Sequence, residues 1–340
     1  MRQWDSTRIG VTLAFTLAVA ACFPWRLQQS RPVFRHLVIV DITRSMNVED
    51  YQLGSRPVSR LAFVKQTLLL ALADLPCGSQ FGLSVFSERQ VALLFTPIEV
   101  CSGFAAISAA IERLDWRMAW AADSRIAKGL YQALETFADL DASFVFFTDG
   151  HEAPPMGPRH FPAFDELRGK VVGWIVGVGR LGLSPIPKFD ESGRRIGFYA
   201  EEEVPQRSSF GLPELSPDQI EGYHARNAPF GSEQVHGTEH LSSLKEDYLR
   251  QLAEASGLAY HRLVDARRLK QVLTAPTLAR RQEVAVDVRW IPGSGALALL
   301  VAAYLSTAFT DAPGFSQWSG SGVFKRFALA IARQRRGEKR

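Results

Sequence analysis

Four short stretches of the chain are nearly unbroken runs of apolar residues: 36–40, 143–148, 171–178 and 258–264. Runs of this length, rich in Val, Ile and Phe, are typical of strands buried on both faces of a parallel sheet. Residues 80–86 and 90–95 read as two further strands joined by Ser87-Glu88-Arg89, an antiparallel hairpin at one edge. Between these runs the period changes to that of a helix. Residues 59–73 carry Leu61, Val64, Leu68 and Leu72 on one face, and 103–114 and 124–138 repeat the pattern. A fourth helix, 244–255, is expected to open with the capping box Ser243-x-x-Glu246 and to close at Gly257. Strands alternating with helices predict an α/β, doubly wound domain, a mostly parallel sheet with one antiparallel edge strand. Residues 183–240 are rich in Pro, Gly, Ser and charge without sustained periodicity, and are expected to form a long insertion before the last strand.

Two uncharged runs flank this domain. Residues 9–23 follow Arg2 and Arg8 and suit a signal peptide or signal anchor occupying residues 1–30. Within them Val19-Ala20-Ala21-Cys22 resembles a lipobox, which would make Cys22 a lipidated first residue; a small Cys inside an anchor is the other reading. Residues 290–310 are long enough, at about 1.5 Å per residue, to cross a hydrocarbon layer of about 30 Å. A basic tail, 311–340, follows a linker at 275–289. Of the net charge of +4, the last 16 residues supply seven basic side chains against Glu338, which leaves the remainder at −2. The basic character is therefore that of a tail beside a membrane, and a nucleic-acid-binding face is excluded. The positive-inside rule keeps the tail cytoplasmic and puts residues 31–274 on the far side, the periplasm of a bacterial inner-membrane protein. An exported domain can hold a disulfide. The hairpin places Cys77 and Cys101 opposite one another just past its open end, so a bond between them is expected, two small buried thiols being the other possibility.

In a doubly wound sheet, ligands bind beyond the carboxyl ends of the strands. Three segments there carry oxygen donors: Asp41-Ile42-Thr43-Arg44-Ser45 after the first strand, Asp123-Ser124 before the third helix, and Asp149-Gly150 after the run 143–148. Two carboxylates (Asp41, Asp149) and three hydroxyls (Thr43, Ser45, Ser124), with no His or thiolate among them, suit Mg²⁺, Ca²⁺ or Mn²⁺. Asp-x-Thr-x-Ser at 41–45, Ser124 heading a helix, and Thr-Asp-Gly at 148–150 resemble the metal-ion-dependent adhesion site of von Willebrand factor type A domains. The chain departs from the family pattern in Thr43 for a Ser and Ser124 for a Thr, and both keep a hydroxyl. The resemblance implies hydroxyls that bind the ion directly, Asp41 and Asp149 acting through water, and an open position filled by an acidic side chain of a protein partner. Asp123 stands where the family often has Gly, as an N-cap or an outer carboxylate. Phrases over 35–274 further resemble membrane-anchored members that accompany MoxR-type ATPases, including accessory proteins of methanol-dehydrogenase maturation. That implies a non-enzymatic binding protein, with a periplasmic quinoprotein dehydrogenase, sibling type A proteins or a MoxR-type ATPase as partners. An adhesion or envelope-structure protein would use the same site. A metal-assisted hydrolase would need a general base, for which Glu49 and Asp50 are the nearby candidates.

Two other motifs carry less. Gly177-x-Gly179-x-x-Gly182 follows a strand, but Pro185 and Pro187 preclude the helix that a dinucleotide site requires. His236-x-x-Glu239-His240 has inverzincin spacing, but Gly237 and Thr238 disfavour the necessary helix. His151-Glu152, directly after the Asp149 turn, read first as a solvated loop and at most as residues that shape the rim of the site.

Overall fold

A computed structural model describes residues 2–121, 123–153, 161–190, 192–204 and 237–310. The elements in chain order are α1 (Arg2–Ala21), β1 (Arg26–Val33), β2 (Arg35–Asp41), β3 (Tyr51–Leu53), β4 (Arg56–Val58), α2 (Arg60–Ala73), β5 (Gln80–Ser87) and β6 (Gln90–Glu99). There follow α3 (Phe104–Arg113), α4 (Ile126–Phe137), β7 (Ser143–Thr148), β8 (Gly173–Gly177), β9 (Ser184–Pro185), β10 (Pro187–Phe189) and β11 (Arg195–Phe198). The chain continues with β12 (Leu241–Ser242), α5 (Glu246–Ser256), β13 (Ala259–Arg262), α6 (Ala266–Leu273), β14 (Arg280–Asp287) and α7 (Trp290–Thr310). It divides into two units, residues 31–282 and the two terminal segments together.

The larger unit is built on a six-stranded sheet of order β13-β8-β7-β2-β5-β6. All its pairs are parallel except the edge pair β5–β6. Because both faces are covered, each strand alternates between two cores. Val38, Val40, Leu83, Val85, Val145 and Phe147 face α2, α3 and α6. Leu37, Ile39, Phe144, Phe146 and Ile175 face α4 and α5. This two-sided burial is why the runs at 36–40 and 143–148 show no polar alternation. Helix α4 can lie close to the sheet because residue 129 is Gly: a Cβ there would sit 2.1 Å from the Phe86 ring. The strand order reverses between β2, which is followed by α2 and β5 on one side, and β7 on the other. That switch point is where the site lies.

Some local expectations are corrected. Residue Ser124 does not head α4, whose N-cap is Arg125, and Asp123 caps nothing; Ser124 instead forms short bridges to Ala153 and Glu88. Helix α5 begins at Glu246 behind Lys245, so the Ser243 capping box does not form, although Gly257 closes the helix in a left-handed conformation. The described part of 183–240 is not a plain loop, since β9 pairs with β12 and β10 with β11; residues 205–236 lie outside the described residues. The sulfurs of Cys77 and Cys101 are bonded, with Cα atoms 5.3 Å apart.

In the second unit, α1 and α7 pack together and β1 pairs with β14. Among the described residues no helix is long and apolar enough to cross a membrane. Arg2, Asp5 and Arg8 shorten the apolar part of α1, and Pro292, Gly293, Ser294 and Gly295 dilute the first turns of α7. Cys22 is an exposed free thiol. The basic tail and His236 lie outside the described residues.

Candidate metal centre

The site begins with a buried Asp at the end of β2. Oδ1 of Asp41 accepts the Thr43 N–H at 2.9 Å and the Thr43 hydroxyl at 2.6 Å. This reverses the chain and leads it into a 3₁₀ turn, Arg44–Asn47, in which Ser45 is buried. Having donated its proton to Asp41, Thr43 Oγ1 keeps its lone pairs for another partner, and Ser45 Oγ lies 3.4 Å from it. The other oxygen of Asp41 accepts the Thr148 hydroxyl, at 2.7 Å, from the end of β7. One residue further, Asp149 Oδ1 accepts the His151 N–H at 3.0 Å across Gly150. Gly150 has φ +78, and a Cβ there would stand 2.9 Å from Leu249, so this turn needs glycine twice over.

The third arm of the site is Ser124. Its backbone is pinned on both sides: its N–H donates to Ala153 O at 2.8 Å, and the next N–H, of Arg125, donates to Glu88 O at 2.5 Å. Its side chain is 2% exposed, and its Oγ has no hydrogen-bond partner among the described residues. A buried hydroxyl without a partner costs about 1–3 kcal/mol. Ser124, Thr43 and Ser45 line one cavity of about 210 Å³, together with Asp123, His151 and Glu239. Two hydroxyls with lone pairs to spare and a third with no partner, beside two buried carboxylates, form a donor set that fits a hard divalent cation.

Sequence reasoning missed the group that dominates the electrostatics. Arg60, the first residue of α2, has a fully buried side chain. Its Nη1 donates to Asp149 Oδ2 at 2.6 Å and to Ser242 Oγ at 2.7 Å, while Nε and Nη2 donate to Asp50 Oδ2 at 3.0 and 2.7 Å. Asp50 also accepts the Arg180 N–H, and Ser242 donates to Asp149 at 2.9 Å. Two buried carboxylates, Asp50 and Asp149, thus share one guanidinium, and a third, Asp41, lies near Asp149 without a cation of its own among the described residues. Burial and the neighbouring Asp149 charge push Asp41 up to about 7, against its hydrogen bonds from Thr43 and Thr148. Burial acts the same way on Asp149, but Arg60 and then His151 outweigh it and hold that carboxyl below its ordinary range. Of the pair, Asp41 is the one held above its ordinary range, and a cation beside it would favour its ionised form. The one clue in the sequence was the position of Arg60: a basic residue in the first turn of a helix opposes the helix dipole and calls for a local reason.

Other residues singled out in the sequence fall around this centre. Asp123 is exposed at the cavity wall. Buried His151, held below its ordinary pKa by burial, places Nε2 3.4 Å from Glu239. Glu152 accepts hydrogen bonds from Ala127 N–H and Tyr248 Oη, so it braces α4 and α5 and does not reach the rim. Glu49 pairs with Arg195 at 2.8 Å. Gly177 ends β8 and no helix follows it.

Comparison with known proteins gives the following. Similar solved structures include an aerotolerance-related membrane protein from Bacteroides fragilis, 15% identical, covering 71% of this chain and 96% of that one with TM-score 0.44. Another is the conserved hypothetical protein BatB from Bacteroides thetaiotaomicron, 14% identical, covering 71% and 95% with TM-score 0.44. A third is proximal thread matrix protein 1 from the mussel byssus with a zinc-occupied MIDAS motif, 17% identical, covering 44% and 40% with TM-score 0.29. No curated protein matches the chain. Residues 36–151, which run from β2 through Asp41, Ser124 and Asp149, match the family model described as von Willebrand factor type A domain.

Proposed function

We propose that the chain is a membrane-attached, non-enzymatic binding protein that uses a divalent cation, Mg²⁺ or Ca²⁺, to grip an acidic side chain of a protein partner. Thr43, Ser45 and Ser124 would hold the ion directly, with Asp41 and Asp149 behind them. The observation that carries this reading is the buried, unpartnered Ser124 hydroxyl on the same cavity wall as Thr43 and Ser45. When bound, the ion supplies an electrophilic position for the partner's carboxylate. The residues do the rest: Asp41 orients the Thr43 and Thr148 hydroxyls, and Arg60 holds Asp149 in place. The two bases that the sequence offered for a hydrolytic reading are engaged elsewhere, Asp50 with Arg60 and Glu49 with Arg195.

For attachment, the unit formed by α1 and α7 supports the reading. It exposes Ile9, Leu13 and Phe15 on one helix and Leu297, Leu300, Val301 and Leu305 on the other, a concentration of apolar surface that asks for lipid or protein cover. With the basic residues beyond 310 on the cytoplasmic side, the metal centre faces the periplasm. There the proposed client is a quinoprotein dehydrogenase of the methanol or alcohol type, as for MxaL-type accessory proteins, within a system that includes sibling type A proteins or a MoxR-type ATPase. The test is a pull-down from periplasmic extract on the detergent-solubilised full chain. A partner retained with Mg²⁺ and lost with EDTA or with Ser124→Ala is expected; equal retention in all three contradicts the reading.

A further inference from the structure

Beside the metal centre lies a second cavity, of about 530 Å³, lined by Arg44, Trp116, Arg117, Trp120, Phe189 and Asp190 among others. Two of its aromatic walls are fixed in place: the Trp116 ring stacks on Phe189 with centroids 5.3 Å apart, and Trp120 Nε1 donates to Glu88 at 3.3 Å. Trp120 nonetheless remains 46% exposed and the adjoining Met118 40% exposed. Of the charged groups at this cavity, Arg117 is held by Asp115 in two hydrogen bonds, and Asp190 is taken up by Ser192 and Arg194. Arg44 differs. It is exposed, it has no carboxylate partner among the described residues, and its guanidinium lies 5.3 Å from the Tyr199 ring centroid. It also lines both cavities, and its neighbours in the chain, Thr43 and Ser45, are two of the proposed ion ligands.

A surface that begins at an ion position, passes an arginine without a carboxylate and ends between two tryptophans and a phenylalanine has a definite complement. We propose that the partner presents an extended acidic segment: one carboxylate at the ion, a second on Arg44, and an aromatic side chain a few residues on in the Trp116–Trp120–Phe189 groove. This rests on the metal-dependent reading above and adds the chemistry of the partner to it. A planar guanidinium already resting on an aromatic ring is well placed to take a carboxylate on its free edge. Aromatic rings add binding through offset or edge contacts with Trp and Phe.

The probe is a fluorescein-labelled peptide with the core Asp-Glu-Ala-Phe, compared with Asp-Gln-Ala-Phe and Asp-Glu-Ala-Ala, titrated by polarisation against the detergent-solubilised full chain in Mg²⁺. The variants Arg44→Gln and Trp120→Ala change exposed side chains, so the fold is kept. The parent peptide is expected to bind wild type about tenfold more tightly than either control. Arg44→Gln should erase the Glu-over-Gln preference alone, and Trp120→Ala the Phe-over-Ala preference alone. Equal binding of the three peptides, still abolished by EDTA, overturns the groove assignment and leaves the metal reading standing. The two preferences surviving in EDTA and in Ser124→Ala would support the groove and contradict the metal reading. No binding of any peptide at millimolar concentration overturns the groove assignment.

Discussion

Replacing Arg60 with Met keeps much of the side-chain volume and deletes the charge. It leaves Asp149 and Asp50, whose side chains are 0% and 4% exposed, facing each other without a cation. Neither solvent nor salt can screen these carboxylates. The loss therefore belongs to the buried class, about 3–5 kcal/mol, and not to the surface class of under about 1 kcal/mol. The same change should help an ion to bind. With the guanidinium 2.6 Å from Asp149, an incoming divalent cation meets a like charge; without it the ion becomes the positive partner of Asp149, beside the hydrogen bonds from His151 and Ser242. Urea unfolding of the full chain, followed by tryptophan fluorescence in EDTA and in Mg²⁺, separates the two effects. Arg60→Met should be strongly destabilised in EDTA and should recover more stability on adding Mg²⁺ than wild type does. A loss below about 1 kcal/mol in EDTA, or a Mg²⁺ increment no larger than that of wild type, would refute the picture of Arg60 as the standing counter-ion of the centre.

Ser124→Ala removes a hydroxyl that has no partner, so in EDTA it should leave stability unchanged or slightly raised, while the stabilisation by Mg²⁺ in the same unfolding experiment should fall. His36, fully buried between Ser143 Oγ at 2.6 Å and the Leu273 carbonyl at 2.9 Å, is pushed down from 6.5 to about 4 by burial, partly offset by that carbonyl. The unfolded chain takes up this proton first, so the contribution is whole above about pH 6.5 and is lost as pH falls toward 4. It amounts to about 3 kcal/mol, and His36→Gln should flatten that limb of the stability–pH curve. Reducing Cys77–Cys101, which are 24 residues apart, should cost roughly 3 kcal/mol, read as a lower urea midpoint in dithiothreitol. Gly129→Ala should cost about 1–3 kcal/mol by driving a methyl into the Phe86 ring, read as a lower midpoint for thermal loss of helical signal.

The sheet was legible because its central strands are buried on both faces: with helices on either side, 37–40 and 144–147 are apolar throughout. Asp41 and Asp149 could be placed from the ends of those runs, since the carboxyl end of a strand at the switch point is a fixed place in such a fold. The geometry of Ser124 could not. Its backbone pairs with Ala153 and Glu88, partners about 30 residues away on either side, and a Ser before a helical pattern reads as a cap when those partners are unknown. The charge relay through Arg60, Asp50 and Ser242 was invisible for the same reason, being assembled from α2, the loop before β3 and β12. The short pairs β9–β12 and β10–β11 are two to four residues long, too short for a period to show.

The central claim is that a divalent cation binds among Asp41, Thr43, Ser45, Ser124 and Asp149. Calorimetric titration of Mg²⁺ and Ca²⁺ into the detergent-solubilised full chain and its Ser124→Ala variant tests it most directly, because that substitution removes a ligand without breaking an internal hydrogen bond. The account predicts saturable one-to-one binding to wild type that is at least tenfold weaker in the variant. Equal affinity in the two proteins, or no binding to a wild type that unfolds cooperatively, would contradict it.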